Sequence, residues 1–191
     1  MNNITDQEKS KYEEIWALPE YADQSPGENL VHHFGKISGC RSGESIIDLG
    51  CGSAKGSLVL EQEYGLRVTM FDITPAGIDP RASYIPFIQG CLWRELPGTY
   101  KYGYCCDVME HLPEQFVMVA IQNMLKACDH VYLNIANFDD VFGEQIGQPL
   151  HLTVKPFVWW RDNLKEISQV LDARDFLASS LFYIKALDSD A

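Results

Sequence analysis

The chain is short of basic charge. Fifteen Lys and Arg stand against 27 Asp and Glu, a formal net charge of −12. Phosphate backbones are held mainly by clustered Lys and Arg, so this deficit argues against a nucleic-acid partner. Long apolar runs are missing too: none approaches the roughly 18 residues a membrane span needs. The opening "MNNITDQEKSKYEE" is polar where a signal peptide would be apolar. The expectation is a cytoplasmic protein with no membrane partner. Six cysteines are present but form no C-x-x-C pair, which removes the commonest zinc and redox spacings. Three of them fall in or beside predicted strands and read as free buried thiols of a reducing compartment. No G-x-x-x-x-G-K-[ST] occurs, so a phosphate-loop NTPase has no support, and no repeat or low-complexity segment divides the chain.

What is present suits one domain spanning residues 1–191, with 46% hydrophobic residues to build its core. "TDQEKSKYEEIWAL" opens as a capping box, Thr5 with Glu8, and "SPGENLVHHFGKI" repeats the device with Ser25 as cap, Pro26 first in the helix and Glu28 third. Two helices therefore precede the first strand, in a helical cap over residues 1–40. Short apolar runs follow: "SIIDLG", "LRVTMF" (66–71), "YIPFI" (84–88), "YGYCC" (102–106) and "HVYLNIA" (130–136). They alternate with helical segments and are apolar through most of their length, which predicts a mostly parallel sheet covered on both faces. "QVLDA" and "SLFYIKA", separated by a short turn, read as an antiparallel C-terminal hairpin closing one edge. The fold class is α/β, Rossmann-like and doubly wound, with seven strands.

The stretch "IIDLGCGSAKG" (46–56) places a strand, a glycine turn and a helix N-terminus in succession. Backbone N–H groups point outward there and no side chain blocks close approach, which makes a ligand cradle. Asp72 ends the second strand 22 positions after Gly50, close to the spacing at which an acid reaches ribose hydroxyls. The ligand is then nucleoside-like. A dinucleotide would want a third glycine where Lys55 stands.

These residues resemble the class I S-adenosylmethionine-dependent methyltransferases. "IIDLGCGSAKG" is similar to their first motif, with Asp48, Gly50 and Gly52 in place and Ala54 standing for the third glycine. Asp72 in "MFDIT" matches their ribose-binding acid, and "CCDVMEHLPE" is similar to the segment after strand four in small-molecule members. The three motifs cover about residues 45–137, and segments beyond them look like small bacterial and bacteriophage-type methyltransferases of unassigned substrate. The resemblance implies S-adenosyl-L-methionine as cofactor, held by Asp48, Gly50, Cys51, Gly52, Asp72, Ile73, Cys91, Leu92, Cys106 and Asp107. Cys91 replaces the acidic residue many members place near the adenine amino group, so adenine recognition is assigned to the backbone and apolar contacts around Leu92 and Trp93.

The sulfonium methyl is already activated, so the protein need only align methyl carbon, sulfur and acceptor. Acid–base help matters only where the acceptor is a hydroxyl or thiol. His111, directly after strand four, and His151, on a loop after strand five, are the candidate bases. Each has the alternative role of fixing loop structure through hydrogen bonds. Glu110, His111 and His151 show no metal-ligand spacing along the chain, and no metal is expected. Trp159 and Trp160 are expected to split, one into the core and one onto the pocket rim. Tyr12, Trp16 and Tyr21 suit a lid whose rings face the adenosine or the sulfonium cation, with simple helix docking as the alternative. The favoured function is methyl transfer to oxygen or nitrogen of a small molecule. The alternatives are a nucleic-acid methyltransferase, a cofactor-binding regulatory protein, and a lyase that degrades the cofactor. "CDVMEH" lacks the D/N/S-P-P-aromatic loop of amino methylation in nucleic acids.

Overall fold

The run Ser45–Leu49 forms β1 near the centre of the sheet, with Ile46 and Ile47 fully buried on opposite faces as the two-residue strand period requires. A computed structural model describes residues 2–187. Around β1 lie β2 (Arg67–Asp72), β3 (Phe87–Gln89), β4 (Tyr100–Cys106), β5 (Cys128–Ala136), β6 (Ser168–Asp175) and β7 (Ser179–Ala186), in the order β3-β2-β1-β4-β5-β7-β6. The pairs β1–β2, β2–β3, β1–β4 and β4–β5 are parallel, and β7 runs antiparallel between β5 and β6. The expected seven-stranded, Rossmann-like sheet with its antiparallel hairpin is the observed one. Strand order reverses between β1 and β4, so a crevice opens at their carboxyl ends, where open α/β sheets bind ligands.

Among the described residues six α-helices surround the sheet: α1 (Asn2–Ile15), α2 (Pro19–Ala22), α3 (Pro26–Ser38), α4 (Lys55–Gln62), α5 (Glu114–Ala127) and α6 (Phe157–Ile167). On one face Val31 and Phe34 of α3 and Leu60 of α4 pack on Ile46, Met70, Tyr102 and Tyr104. Phe34 sits edge-on to Tyr102, Tyr104 and Tyr132 at centroid distances of 5.5, 5.5 and 5.7 Å, a favoured geometry for aromatic pairs. On the other face Val117, Ile121 and Met124 of α5 and Trp160 and Leu164 of α6 cover Ile47, Leu49, Val131 and Leu133. Both faces being dry explains why the strand sequences are continuously apolar rather than alternating.

Several local expectations differ from the structure. Three helices, not two, precede β1, because Pro19 starts the separate short turn α2. Helix α1 begins at Asn2, so Thr5 lies inside it and caps nothing; its hydroxyl hydrogen-bonds with the Cys91 thiol. Ser25 is the N-cap of α3 with Pro26 following, but its side chain makes no capping bond, and the Glu28 N–H bonds to the Ser25 carbonyl at 3.1 Å. Strand β3 starts three residues later than "YIPFI" suggests. Pro86 has no N–H to give the ladder, although its carbonyl accepts from Met70 N at 2.8 Å. Trp160 is in the core as expected, but Trp159 lies beneath the Lys155 ammonium at 5.4 Å and packs on the core edge rather than the pocket rim.

Candidate active site

At the carboxyl ends of β1, β2 and β4 two cavities, of about 100 and about 410 Å³, share Trp16, Tyr21, Gly50, Gly52, Asp107 and His111 as walls. The narrower one reaches Asp72, Ile73, Cys91, Leu92 and Trp93 at the ends of β2 and β3. The wider one reaches Asp48, Cys51, Cys106 and His151. The structure thus gathers all twelve candidate residues around one cleft, although they come from six separate stretches of sequence.

The glycine turn is shaped for close approach. Gly50 and Gly52 adopt φ of 80° and 50°, the left-handed region where a side chain is strained. A Cβ on Gly50 would stand 2.5 Å from Val108 Cγ2, and one on Gly52 would stand 2.8 Å from Trp16 Cζ2. Ala54, in place of a third glycine, takes φ 59° and pays the left-handed cost with the smallest side chain. Asp72 receives Gly52 N–H at 2.9 Å and Thr74 N–H at 3.1 Å, one on each carboxylate oxygen. Burial raises its pKa even though these two donors favour the ionised form. A carboxylate has about four acceptor positions, so Asp72 retains capacity for ligand hydroxyls in the cavity it lines.

Asp48 is more deeply placed than a ligand-contacting role would suggest. Its carboxylate accepts the Ser57 hydroxyl at 2.6 Å and so pins the start of α4 beneath the glycine turn. Burial pushes its pKa up to about 7, against the lowering effect of Ser57, with Asp72 adding to the rise. The three cleft cysteines are held as thiols. Burial pushes the Cys91 thiol up to about 11 and raises Cys51 and Cys106 as well.

His111 and His151 meet because backbone bonds bring their segments together. The Glu110 carbonyl accepts from Leu152 N at 2.7 Å and Thr153 N at 2.8 Å. Asp140 then organises the loop: its carboxylate accepts from Gly143 N at 2.6 Å, Leu150 N at 2.9 Å and His151 N at 3.1 Å. The two imidazoles pack edge to face at 4.7 Å. Each has Nδ1 at a backbone carbonyl, Leu150 O at 3.2 Å for His111 and Phe138 O at 2.6 Å for His151. A carbonyl only accepts, so Nδ1 carries a proton on both rings and Nε2 is the nitrogen left to other partners. Burial, with His151 contributing, drives the His111 pKa down to about 3. That makes His111 a neutral acceptor of hydrogen bonds and a weak base.

The N-terminal aromatics close over this cleft. Tyr12 packs against His111 at 5.7 Å, Trp16 against Tyr21 at 4.8 Å, and Tyr21 against Phe142 of the loop after β5 at 5.5 Å. Asp140 and Phe142 escaped the sequence reading. The only trace of them is a polar-to-aromatic turn, "DDVFG", in a loop with no periodicity.

No protein-family model matches the chain, and no curated protein matches it in sequence. In three dimensions it has the fold of the class I S-adenosylmethionine-dependent methyltransferases. The N-methyltransferase NodS from Bradyrhizobium japonicum WM9, solved with S-adenosyl-L-homocysteine, superposes with a TM-score of 0.69 at 15% identity, over 95% of this chain and 99% of that one. Magnesium protoporphyrin IX methyltransferase from Synechocystis PCC 6803, with bound S-adenosylmethionine, gives 0.64 at 18% identity, over 83% and 79%. An O-methyltransferase family protein from Burkholderia thailandensis gives 0.66 at 12% identity, over 86% and 56%.

Proposed function

We propose that the chain is an S-adenosylmethionine-dependent methyltransferase acting on oxygen or nitrogen of a small molecule in the cytoplasm. One observation carries this reading: the left-handed glycine turn, Asp72 and the Asp107–His111 segment converge on one cleft at the topological switch point. The residues fit the cofactor. Asp72 has spare acceptor capacity for ribose hydroxyls, Gly50 and Gly52 line both cavities without a Cβ, and Cys91, Leu92 and Trp93 supply an apolar wall for a base. When bound, the cofactor supplies an activated methyl group on a sulfonium.

The chain's own part is binding, orientation and exclusion of water. Tyr12, Trp16 and Tyr21 line the cleft, and aromatic rings there suit a sulfonium. Asp48 and Ser57 hold the glycine turn to α4. His111 and His151 line the wider cavity, and the neutral His111 ring, its Nδ1 at the Leu150 carbonyl, has Nε2 to accept a hydrogen bond from a hydroxyl or amine. The acidic surface and the lack of an amino-methylation loop favour a small molecule over nucleic acid. NodS and the magnesium protoporphyrin IX enzyme, both methyltransferases by name, support the reading by fold.

The test is direct. Calorimetry should show micromolar S-adenosylhomocysteine binding and none of NAD, and methyl-labelled cofactor incubated with a metabolite extract should label a small acceptor. Tight NAD binding without S-adenosylhomocysteine binding would overturn the reading. Cofactor breakdown without any labelled acceptor would replace it with a lyase.

A further inference from the structure

Glu110 is fully buried at the end of β4, in the turn that precedes α5. One of its carboxylate oxygens accepts from Ala136 N at 3.0 Å; the other, Oε2, is buried with no donor. Asp107 stands beside it, close enough to share a hydrogen bond if one of the two carboxyls is protonated, and burial together with Asp107 raises the Glu110 pKa. A buried carboxylate oxygen without a donor, next to a second carboxylate, is costly unless a proton or a cation serves it. The neighbours that complete the setting are His111 and His151, each with Nδ1 committed to a backbone carbonyl and Nε2 left to another partner.

We propose that Glu110, His111 and His151 form a binding site for a divalent first-row transition metal on the acceptor side of the cleft. One donor atom from each residue lies within 4.8 Å of the others. Donors around a four-coordinate ion at about 2.1 Å stand about 3.4 Å apart, so the set must close by up to about 1.4 Å at its widest pair to hold an ion. The supporting contacts are those a metal site uses. Ligating imidazoles donate their second N–H to a backbone carbonyl, which fixes ring and tautomer, and both do so here, to Leu150 and Phe138. Two imidazoles and one carboxylate select transition ions such as Zn²⁺, Mn²⁺, Fe²⁺ or Co²⁺ over Mg²⁺, and leave coordination positions open. Lys11, the cation whose charge acts on His111, is held by Glu8 at 2.5 Å and so is largely neutralised.

The open positions give the site a use, and this part rests on the methyl-transfer reading. An acceptor carrying a hydroxyl next to a second oxygen donor would chelate the ion through both oxygens. The metal lowers the hydroxyl pKa, the proton passes to water, and the oxygen keeps the lone pair that attacks.

The experiment titrates the purified protein with Co²⁺, followed by its visible absorption, and with Zn²⁺ by calorimetry, while S-adenosylhomocysteine binding is measured on the same sample. One equivalent of each metal is expected. His151→Ala, on the loop after β5, and Glu110→Gln, whose amide oxygen still accepts from Ala136 N, should each weaken binding by more than the roughly 10–100-fold that outer partners cost. If Glu110→Gln fails to fold, His151→Ala carries the test. Absence of binding at millimolar metal, or undiminished binding by folded His151→Ala, overturns the site. S-adenosylhomocysteine bound without metal refutes the site alone. Metal bound without S-adenosylhomocysteine upholds the site and removes the methyl-transfer reading.

Discussion

Replacing Asp48 by Asn should stabilise the protein at alkaline pH and do little at acidic pH. Asp48 is 5% exposed and its one side-chain partner is the Ser57 hydroxyl at 2.6 Å. Its pKa in the fold is about 7 against an ordinary 3.8, chiefly through burial. The folded state therefore holds a proton that the unfolded chain releases above pH 4. Stability from this group is complete below pH 4 and is lost as the pH climbs through 7. The gap between the two values bounds the loss at about 4 kcal/mol, and relaxation of the surroundings brings a working figure of about 2 kcal/mol. Asn is neutral throughout, and its amide oxygen still accepts from Ser57, so it escapes the loss. Urea denaturation of both proteins at pH 3.5, 6 and 8 reads the effect: equal stabilities at 3.5, diverging to about 2 kcal/mol in favour of the variant at 8. Parallel pH profiles, or a variant less stable at pH 8, would refute the reasoning.

Asp72→Ala should weaken S-adenosylhomocysteine binding by about 1.5–3 kcal/mol, roughly tenfold to a hundredfold, because it deletes charge-assisted bonds. Calorimetry on the folded variant that finds normal affinity would reduce Asp72 to a turn residue bonded to Gly52 and Thr74. Gly50→Ala should destabilise the fold by at least about 1–2 kcal/mol from its φ of 80° alone, before the Val108 clash is counted; thermal melts measure it. NMR titration should find the His111 ring neutral until the pH falls to about 3, so an ordinary histidine titration near pH 6.5 would show that α1 does not bury it.

The glycine turn and Asp72 were legible because their chemistry is local: a positive φ demands glycine and a strand end fixes where an acid lies. The sheet was legible because both its faces are dry, which writes continuous apolar runs. The meeting of His111 with His151 was not. Forty residues separate them, and what joins them is a set of backbone bonds from Glu110 O and Asp140 that leave no pattern in side-chain identity. Glu110 gave the least warning, since an acid beside a histidine after β4 reads as solvent-exposed until the fold buries it. Trp159 and Thr5 misled because a helix face and a helix start each shift by one turn without changing composition.

The buried groups of the cleft share one physical condition, and it bears on the proposed cofactor. Burial raises Asp48, Asp72 and Glu110 and lowers His111, so without ligand these groups are held closer to neutrality than their types suggest. A cation entering the cleft favours the ionised carboxyls, whereas a neutral ligand of the same shape does not. S-adenosylmethionine and S-adenosylhomocysteine differ in this respect, being cationic and neutral at sulfur with the same amino-acid and nucleoside parts. The preference for S-adenosylmethionine should therefore grow as pH rises through 7, where Asp48 gives up its proton. Paired charges near a protein surface interact by a few kcal/mol, so a change of about tenfold in the ratio of the two dissociation constants between pH 6 and pH 8 is expected. Competitive calorimetry at the two pH values measures that ratio directly, because ionisations common to both ligands cancel. A ratio that stays constant, or falls as pH rises, would show that the sulfonium does not sense these carboxyls.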